Sequence, residues 1–156
     1  MLRLVLDTHV WLDWLVFDDK DTAPIRNAVA LKTAAIFIDA ACEAELERVL
    51  GYPFGRKTLD IGKQKACLAQ CRRLSNRIDS MATPEQRAGL PKCRDPDDQN
   101  FLEAALVARA DLLITKDRAL LELTRRKARA LPFRIVTPEA FERGQASASG
   151  SGGQGP

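Results

Sequence analysis

An α/β fold with a mainly parallel sheet and helices on both of its faces is predicted by three features of this sequence. Four short runs are almost wholly apolar: "LRLVL" at 2–6, "AAIFI" at 34–38, "DLLIT" at 111–115 and "FRIVT" at 133–137. Runs this short and this apolar read as strands buried on both faces. Segments with helical spacing lie between them, as a parallel sheet requires. Acids stand at or just past three of the strand ends, at Asp7, Asp39 and Asp117, and such residues start helices.

The elements follow in order. After the first strand, "THVWLDWLVF" suits a helix. Asp21 or Thr22 can cap a second helix from about 23 to 32, with Pro24 in its first turn. Asp39 caps "AACEAELERVL", which Gly51 and Pro53 end. "GYPFGRKT" is a loop. The spacing of Ile61, Leu68, Cys71, Leu74 and Ile78 predicts a helix over about 60–78. Residues 79–96 hold Pro84, Gly89, Pro91 and Pro96 and read as mostly loop. Helices are expected over about 97–109 and 117–129, and a short one from Pro138. The expected domain is 1–143. The stretch 144–156 holds five of the nine glycines and is expected to be a disordered Gly/Ser-rich tail.

Composition excludes several classes. At 156 residues, with 46% hydrophobic and 29% charged content, the chain suits one globular domain. No apolar run approaches the roughly 18 residues of a membrane span, and the start turns acidic too soon for a signal peptide. The expected location is the cytoplasm. The four cysteines contain no Cys-x-x-Cys pair, and the one histidine, His9, is far from them. Neither a zinc site nor a disulfide framework is expected. The net charge of +3 is mild, but basic residues crowd 63–77 and 125–134 while acids crowd 18–21, 43–47 and 95–98. That segregation allows a phosphate-tracking rim around an acidic centre, or simply solvated helix faces.

The acids carry the chemistry. In open sheets, ligands bind beyond the carboxyl ends of the strands, and Asp7 and Asp117 both project from that edge. In "CRDPDDQNFLEAAL", Asp98 shares a helical face with Phe101, Leu102 and Ala105 and so points inward, while Glu103 falls on the opposite side. In "ACEAELERVL", Glu43 and Glu45 flank the buried stripe, and helical geometry alone does not choose between them. Asp39 needs no role beyond capping. For Asp7, Asp98 and Asp117, a role in the first turn of a helix competes with a ligand role. Unit charges about 4 Å apart repel by roughly 4 kcal/mol at an effective dielectric near 20. Converging carboxylates therefore need protons or a multivalent cation, and oxygen-only donors favour Mg2+ or Mn2+. Without a Gly-rich phosphate loop, such a cluster suits phosphodiester hydrolysis.

Four stretches, "VLDTHVWLDWL", "EAELERVL", "CRDPDDQNFLEAALVARADLLITKD" and "FRIVTPEAF", together resemble the PIN-domain ribonucleases, nearest to the VapC-like toxin components of toxin–antitoxin systems. The resemblance spans about residues 2–142. It implies a three-layer α/β/α sandwich with a mainly parallel sheet, a metal-dependent endoribonuclease acting on RNA, a protein antitoxin as partner, and a homodimer. Residue by residue, it implies that Asp7, Glu45, Asp98 and Asp117 are the catalytic acids and hold Mg2+ (or Mn2+). Thr115 matches the family's frequent Thr or Ser two residues before the last acid. His9 stands where the family often has Asn, and is expected to orient the site or contact RNA. Arg72, Arg73, Arg125 and Arg126 are the expected RNA-backbone contacts.

Other readings are weaker. A haloacid-dehalogenase-type phosphatase needs a second aspartate two residues after the first, where this chain has His9. A receiver domain finds acids and Lys116 but no well-placed phosphate acceptor. A structure-directed DNA nuclease shares the chemistry but usually carries insertions that this chain lacks. A catalytically silent PIN-fold binding module is argued against by acids at all four positions.

Overall fold

A computed structural model describes residues 1–125 and 131–152. Five parallel strands form one sheet: β1 (Leu2–Leu6), β2 (Ala34–Asp39), β3 (Ser75–Ile78), β4 (Leu112–Ile114) and β5 (Arg134–Val136). Helices cover both faces in an α/β/α arrangement. They are α1 (Thr8–Leu15), α2 (Ala23–Ala30), α3 (Ala40–Leu50), α4 (Ile61–Leu74), α5 (Pro84–Ala88), α6 (Pro96–Val107), α7 (Arg118–Glu122) and α8 (Pro138–Gly152). Leu4, Val5 and Leu6 are all buried. Since neighbouring strand side chains point to opposite faces, neither face of β1 meets solvent from Leu4 onward, although Arg3 is exposed.

The strand order is β3-β2-β1-β4-β5. The chain winds outward from β1 through β2 to β3, then returns across the sheet to place β4 on the other side of β1. The turn-around lies between β1 and β4, where connections leaving adjacent strand ends diverge and open a crevice. Leu6 pairs with Ile114, and the Asp7 amide donates to the Ile114 carbonyl at 3.0 Å. Asp7 and Thr115 thus emerge side by side at that crevice.

Trp11 and Trp14 on α1 stack at 5.8 Å and belong to the core with Leu46, Leu102 and Leu113. All four cysteines are free, and Cys42 and Cys71 are buried as small apolar side chains. Among the described residues, no helix is long and apolar enough to cross a membrane.

The expected helix over 60–78 stops at Leu74, and its last four residues form the edge strand β3. Ser75 takes an extended backbone, and its hydroxyl donates to the Cys71 carbonyl at 2.6 Å. Residues 75–78 then pair with Ile36–Asp39, so the free edge of β2 outweighs a helical spacing that leaves Ile61 exposed. Within the expected loop, Thr83 and Gln86 form a capping box that starts α5. The helix after Asp117 gives way at Leu123–Arg125 to a 3-10 turn, and the rest of its expected span lies largely outside the described residues. The bounds of α8 reach into the stretch whose composition suggests a tail.

Candidate active site

Asp7 is 4% exposed and caps α1, its Oδ1 accepting from the Val10 amide at 3.2 Å. Its Oδ2 faces the other way and accepts from the Thr115 hydroxyl. Thr115, fully buried, accepts in turn from the Asp117 amide at 3.0 Å. Asp117 caps α7 through the Ala119 amide at 2.8 Å. Capping therefore occupies one oxygen of each acid, and Thr115 ties the two strand ends together. Burial pushes the Asp7 carboxyl up, while the Thr115 hydroxyl, the Val10 amide and the charge of His9 pull it back.

Capping explains neither Glu45 nor Asp98. Asp95 caps α6 through the Asp97 amide, which leaves Asp98 with no capping role and no ion pair among the described residues. Its inward neighbours Phe101, Leu102 and Ala105 are buried, as the helical face requires. Burial first, then the charges of Asp117, Asp95, Asp7 and Asp97, push the Asp98 carboxyl up to about 6. Burial also raises Glu45, in the middle of α3, and Asp97 and Asp7 raise it further against the pull of Arg48. Thr8 lies close enough to ease that shift, yet neither Thr8 Oγ1 nor Glu45 Oε2 has a partner of hydrogen-bond geometry, and both atoms are buried. Asp7, Glu45, Asp98 and Asp117 thus come from four separate elements and are linked in one electrostatic set.

Glu43 goes elsewhere. It is 6% exposed and receives the Arg72 Nε at 2.6 Å and the Arg77 guanidinium. Arg72 is thereby engaged, and both it and Arg73 are exposed. Arg125 stands in the 3-10 turn that ends the first described stretch, and Arg126 lies outside the described residues. His9 is exposed on the first turn of α1, beside Asp7. Glu103 is half-buried and pairs with Arg87 at 3.3 Å, not freely solvated.

Three neighbours of the acids have no part in the expected nuclease site. Lys116, between Thr115 and Asp117, is held by Asp13 at 2.6 Å and Asp19 at 3.9 Å, which fixes the β4–α7 connection to α1. Arg48 reaches from α3 to Asp97 on α6 at 3.3 Å. The Cys93 thiol is raised by burial and by the charges of Asp98, Asp117 and Asp95, and so borders the same centre. Only Arg48 had a signal in sequence, its i+3 spacing from Glu45.

The PIN domain family matches residues 3–119, three quarters of the chain. The chain belongs to the PIN domain family. PIN domains are nucleases, and the matched span contains all four acids. Among solved structures, VapBC2 from Rickettsia felis, crystallised with a DNA fragment from its promoter, is similar in fold. It has a TM-score of 0.60 and 16% identity, covering 87% of this chain and 98% of that one. Comparison with curated proteins gives no match.

The donors of this PIN domain suit a hard divalent cation: carboxylate oxygens, one of them buried without a partner. Among the described residues, no group of three or more acidic, histidine or cysteine side chains is close enough to hold a metal in this arrangement. Mutual repulsion acts to keep these acids apart, and a cation would relieve it.

Proposed function

We propose that this PIN domain is a metal-dependent endoribonuclease that hydrolyses phosphodiester bonds of RNA, and that it is the toxin of a toxin–antitoxin pair in the cytoplasm. One observation carries the nuclease reading. Asp7 and Asp117 leave adjacent strand ends at the topological switch and are tied together there by the Thr115 hydroxyl, and the charge of Asp7 reaches both Glu45 on α3 and Asp98 on α6, neither of which forms an ion pair among the described residues. The fold shared with VapBC2 supports the pairing with a protein antitoxin.

Asp7, Glu45, Asp98 and Asp117 would hold Mg2+ or Mn2+. Bound there, the cation supplies Lewis-acid activation of water and charge neutralisation at the phosphate. The protein groups have distinct tasks. Thr115 holds Asp7 in one orientation by donating to Oδ2. The Thr115 contact to the Asp117 amide holds the second strand end in register with the first. Asp98, raised to about 6 by burial and by its acidic neighbours, would be the ligand that α6 contributes, and it would bind as the carboxylate. No serine, cysteine or lysine is needed as a nucleophile.

The test is cleavage of mixed single-stranded RNA by the wild type and the Asp7→Asn and Asp98→Asn variants, with Mg2+, Mn2+ or EDTA. Cutting by the wild type alone, abolished by EDTA, supports the reading. Cutting of single-stranded DNA but not RNA makes it a DNA nuclease instead. Cation-dependent cutting by both variants at the wild-type rate refutes the site.

A further inference from the structure

Among the described residues, Arg48 and Arg87 are the paired cations whose shortest contact is as long as 3.3 Å, and of the two Arg48 is the one beside Glu45. It lies three residues after Glu45 on α3, hence on the same flank of the helix. Its Nη2 approaches Asp97 Oδ2 at 3.3 Å and Oδ1 at 3.5 Å. Both distances exceed the 2.7–2.9 Å of a strong charge-assisted bond. By contrast, Arg72 is held by Glu43 and Lys116 by Asp13 at 2.6 Å each, on carboxylates that are 8% and 18% exposed. The Arg48 and Asp97 side chains are 52% and 39% exposed, so water screens their attraction and the pair contributes little to stability. The contact uses one nitrogen, and the other donors of the guanidinium are left over.

The position of this loosely held cation gives it a use. Asp97 is the acid whose charge both Glu45 and Asp98 feel. Arg48 therefore spans from α3 to α6 beside the acidic centre. Any polyanion approaching that centre meets carboxylates first. Among the described residues, the cations that ease these acids are His9 for Asp7 and Arg48 for Glu45. A guanidinium fork matches phosphate geometry better than imidazole does.

Resting on the nuclease reading, we propose that Arg48 is a substrate-binding residue parked on Asp97 in the free protein, which transfers its guanidinium to a backbone phosphate of the nucleic acid seated across the α3–α6 gap. Asp97 is then the competitor that keeps Arg48 extended towards the crevice, and it loses the contact when substrate arrives.

The two partners of a purely structural tie would behave alike on removal, whereas a parked contact predicts opposite effects. The measurement is fluorescence anisotropy of labelled oligo-U and oligo-A with the full chain in Mg2+, all in an Asp7→Asn background that blocks cleavage, across a salt series. Arg48→Ala should weaken binding about tenfold. It should also flatten the slope of log affinity against log salt by about 0.7, one phosphate contact on a single strand. Because the contact is to phosphate, both oligonucleotides should lose the same factor. Arg48→Lys should restore the slope, and Asp97→Asn should bind as tightly as the background protein or more tightly. Unchanged affinity and slope in Arg48→Ala, or equal losses in Arg48→Ala and Asp97→Asn with melting temperatures preserved, overturn the proposal while leaving the nuclease reading intact. A wild-type protein that, in Mg2+, neither binds nor cleaves RNA or DNA overturns both.

Discussion

Neutralising Asp98 should make the metal-free protein more stable while destroying its activity. The Asp98 carboxyl stands at about 6 against an ordinary 3.8, a rise of about two units, or about 3 kcal/mol at 1.36 kcal/mol per unit. The group is partly exposed, so solvent screening reduces this to roughly 1–1.5 kcal/mol. The sign follows from proton binding. Between about pH 4 and 6 the folded chain holds this proton more tightly than the unfolded chain does. The contribution to stability is therefore full below the ordinary value and is lost as pH rises through about 6. At pH 7.5 the charged Asp98 is a net cost, and Asp98→Asn removes it. In EDTA at pH 7.5, the variant should melt about 3–5 °C above the wild type, and the gain should be smaller at pH 4.5 and vanish only below the ordinary carboxyl value. Mg2+ should raise the wild-type melting temperature more than that of the variant, since binding to the folded state alone stabilises it. Urea unfolding at both pH values gives the same comparison as a free energy. A variant that is less stable at pH 7.5, or equally stabilised at both pH values, would refute the placement of Asp98 among uncompensated acids.

Thr115→Val deletes the hydroxyl that donates to buried Asp7; it should cost about 1–3 kcal/mol in urea unfolding and move the acidic limb of the pH–rate profile upward, and Thr115→Ser should reverse both. Glu43→Gln leaves Arg72 and Arg77 without their buried acceptor. About 1–2 kcal/mol of stability should be lost, less than for a fully buried pair because both arginines are half-exposed, with cleavage of the remaining folded protein unchanged. Asp13→Asn weakens the anchor on Lys116; hydrogen exchange should speed up in the amides of residues 115–119 with little change in the melting temperature, and a uniform change across the sheet would contradict this.

Much of this architecture was readable from local chemistry, and the failures share a cause. Strands β1, β2, β4 and β5 are short, largely apolar and mostly buried runs, so composition alone exposes them. Asp39 and Asp60 cap the helices that follow, through amides three residues on. The edge strand β3, "SNRI", has no such signature, because one of its sides meets no strand and its outward residues are polar. Its conformation is decided by pairing with β2, some forty residues earlier. The choice between Glu43 and Glu45 was open for a similar reason. Both flank the same apolar stripe, and their difference lies in Arg72 and Arg77, 29 and 34 residues from Glu43. The resemblance to PIN domains pointed to Glu45 where helical geometry did not.

The capping roles of Asp7 and Asp117 do not compete with a ligand role; they make one possible. A carboxylate with both oxygens satisfied by amides would have little left for a cation, and a bare one would cost too much to bury. Asp7 gives Oδ1 to the start of α1 and Oδ2 to Thr115, so it is held rigidly while each oxygen keeps a lone pair. The positive end of the α1 dipole also offsets part of its charge without placing a lysine or arginine in the crevice. Such a cation would neutralise the centre permanently and occupy the place that a metal needs. Of the basic residues nearby, Lys116 is committed to Asp13 and Asp19, Arg72 and Arg77 to Glu43, and Arg48 is drawn to Asp97. An acidic field built this way attracts divalent ions and repels nucleic acid until they bind, so cation binding should precede substrate binding. Affinity of the wild-type protein for a cleavage-resistant RNA analogue, measured with and without Mg2+, tests that order, and affinity independent of the cation would contradict it.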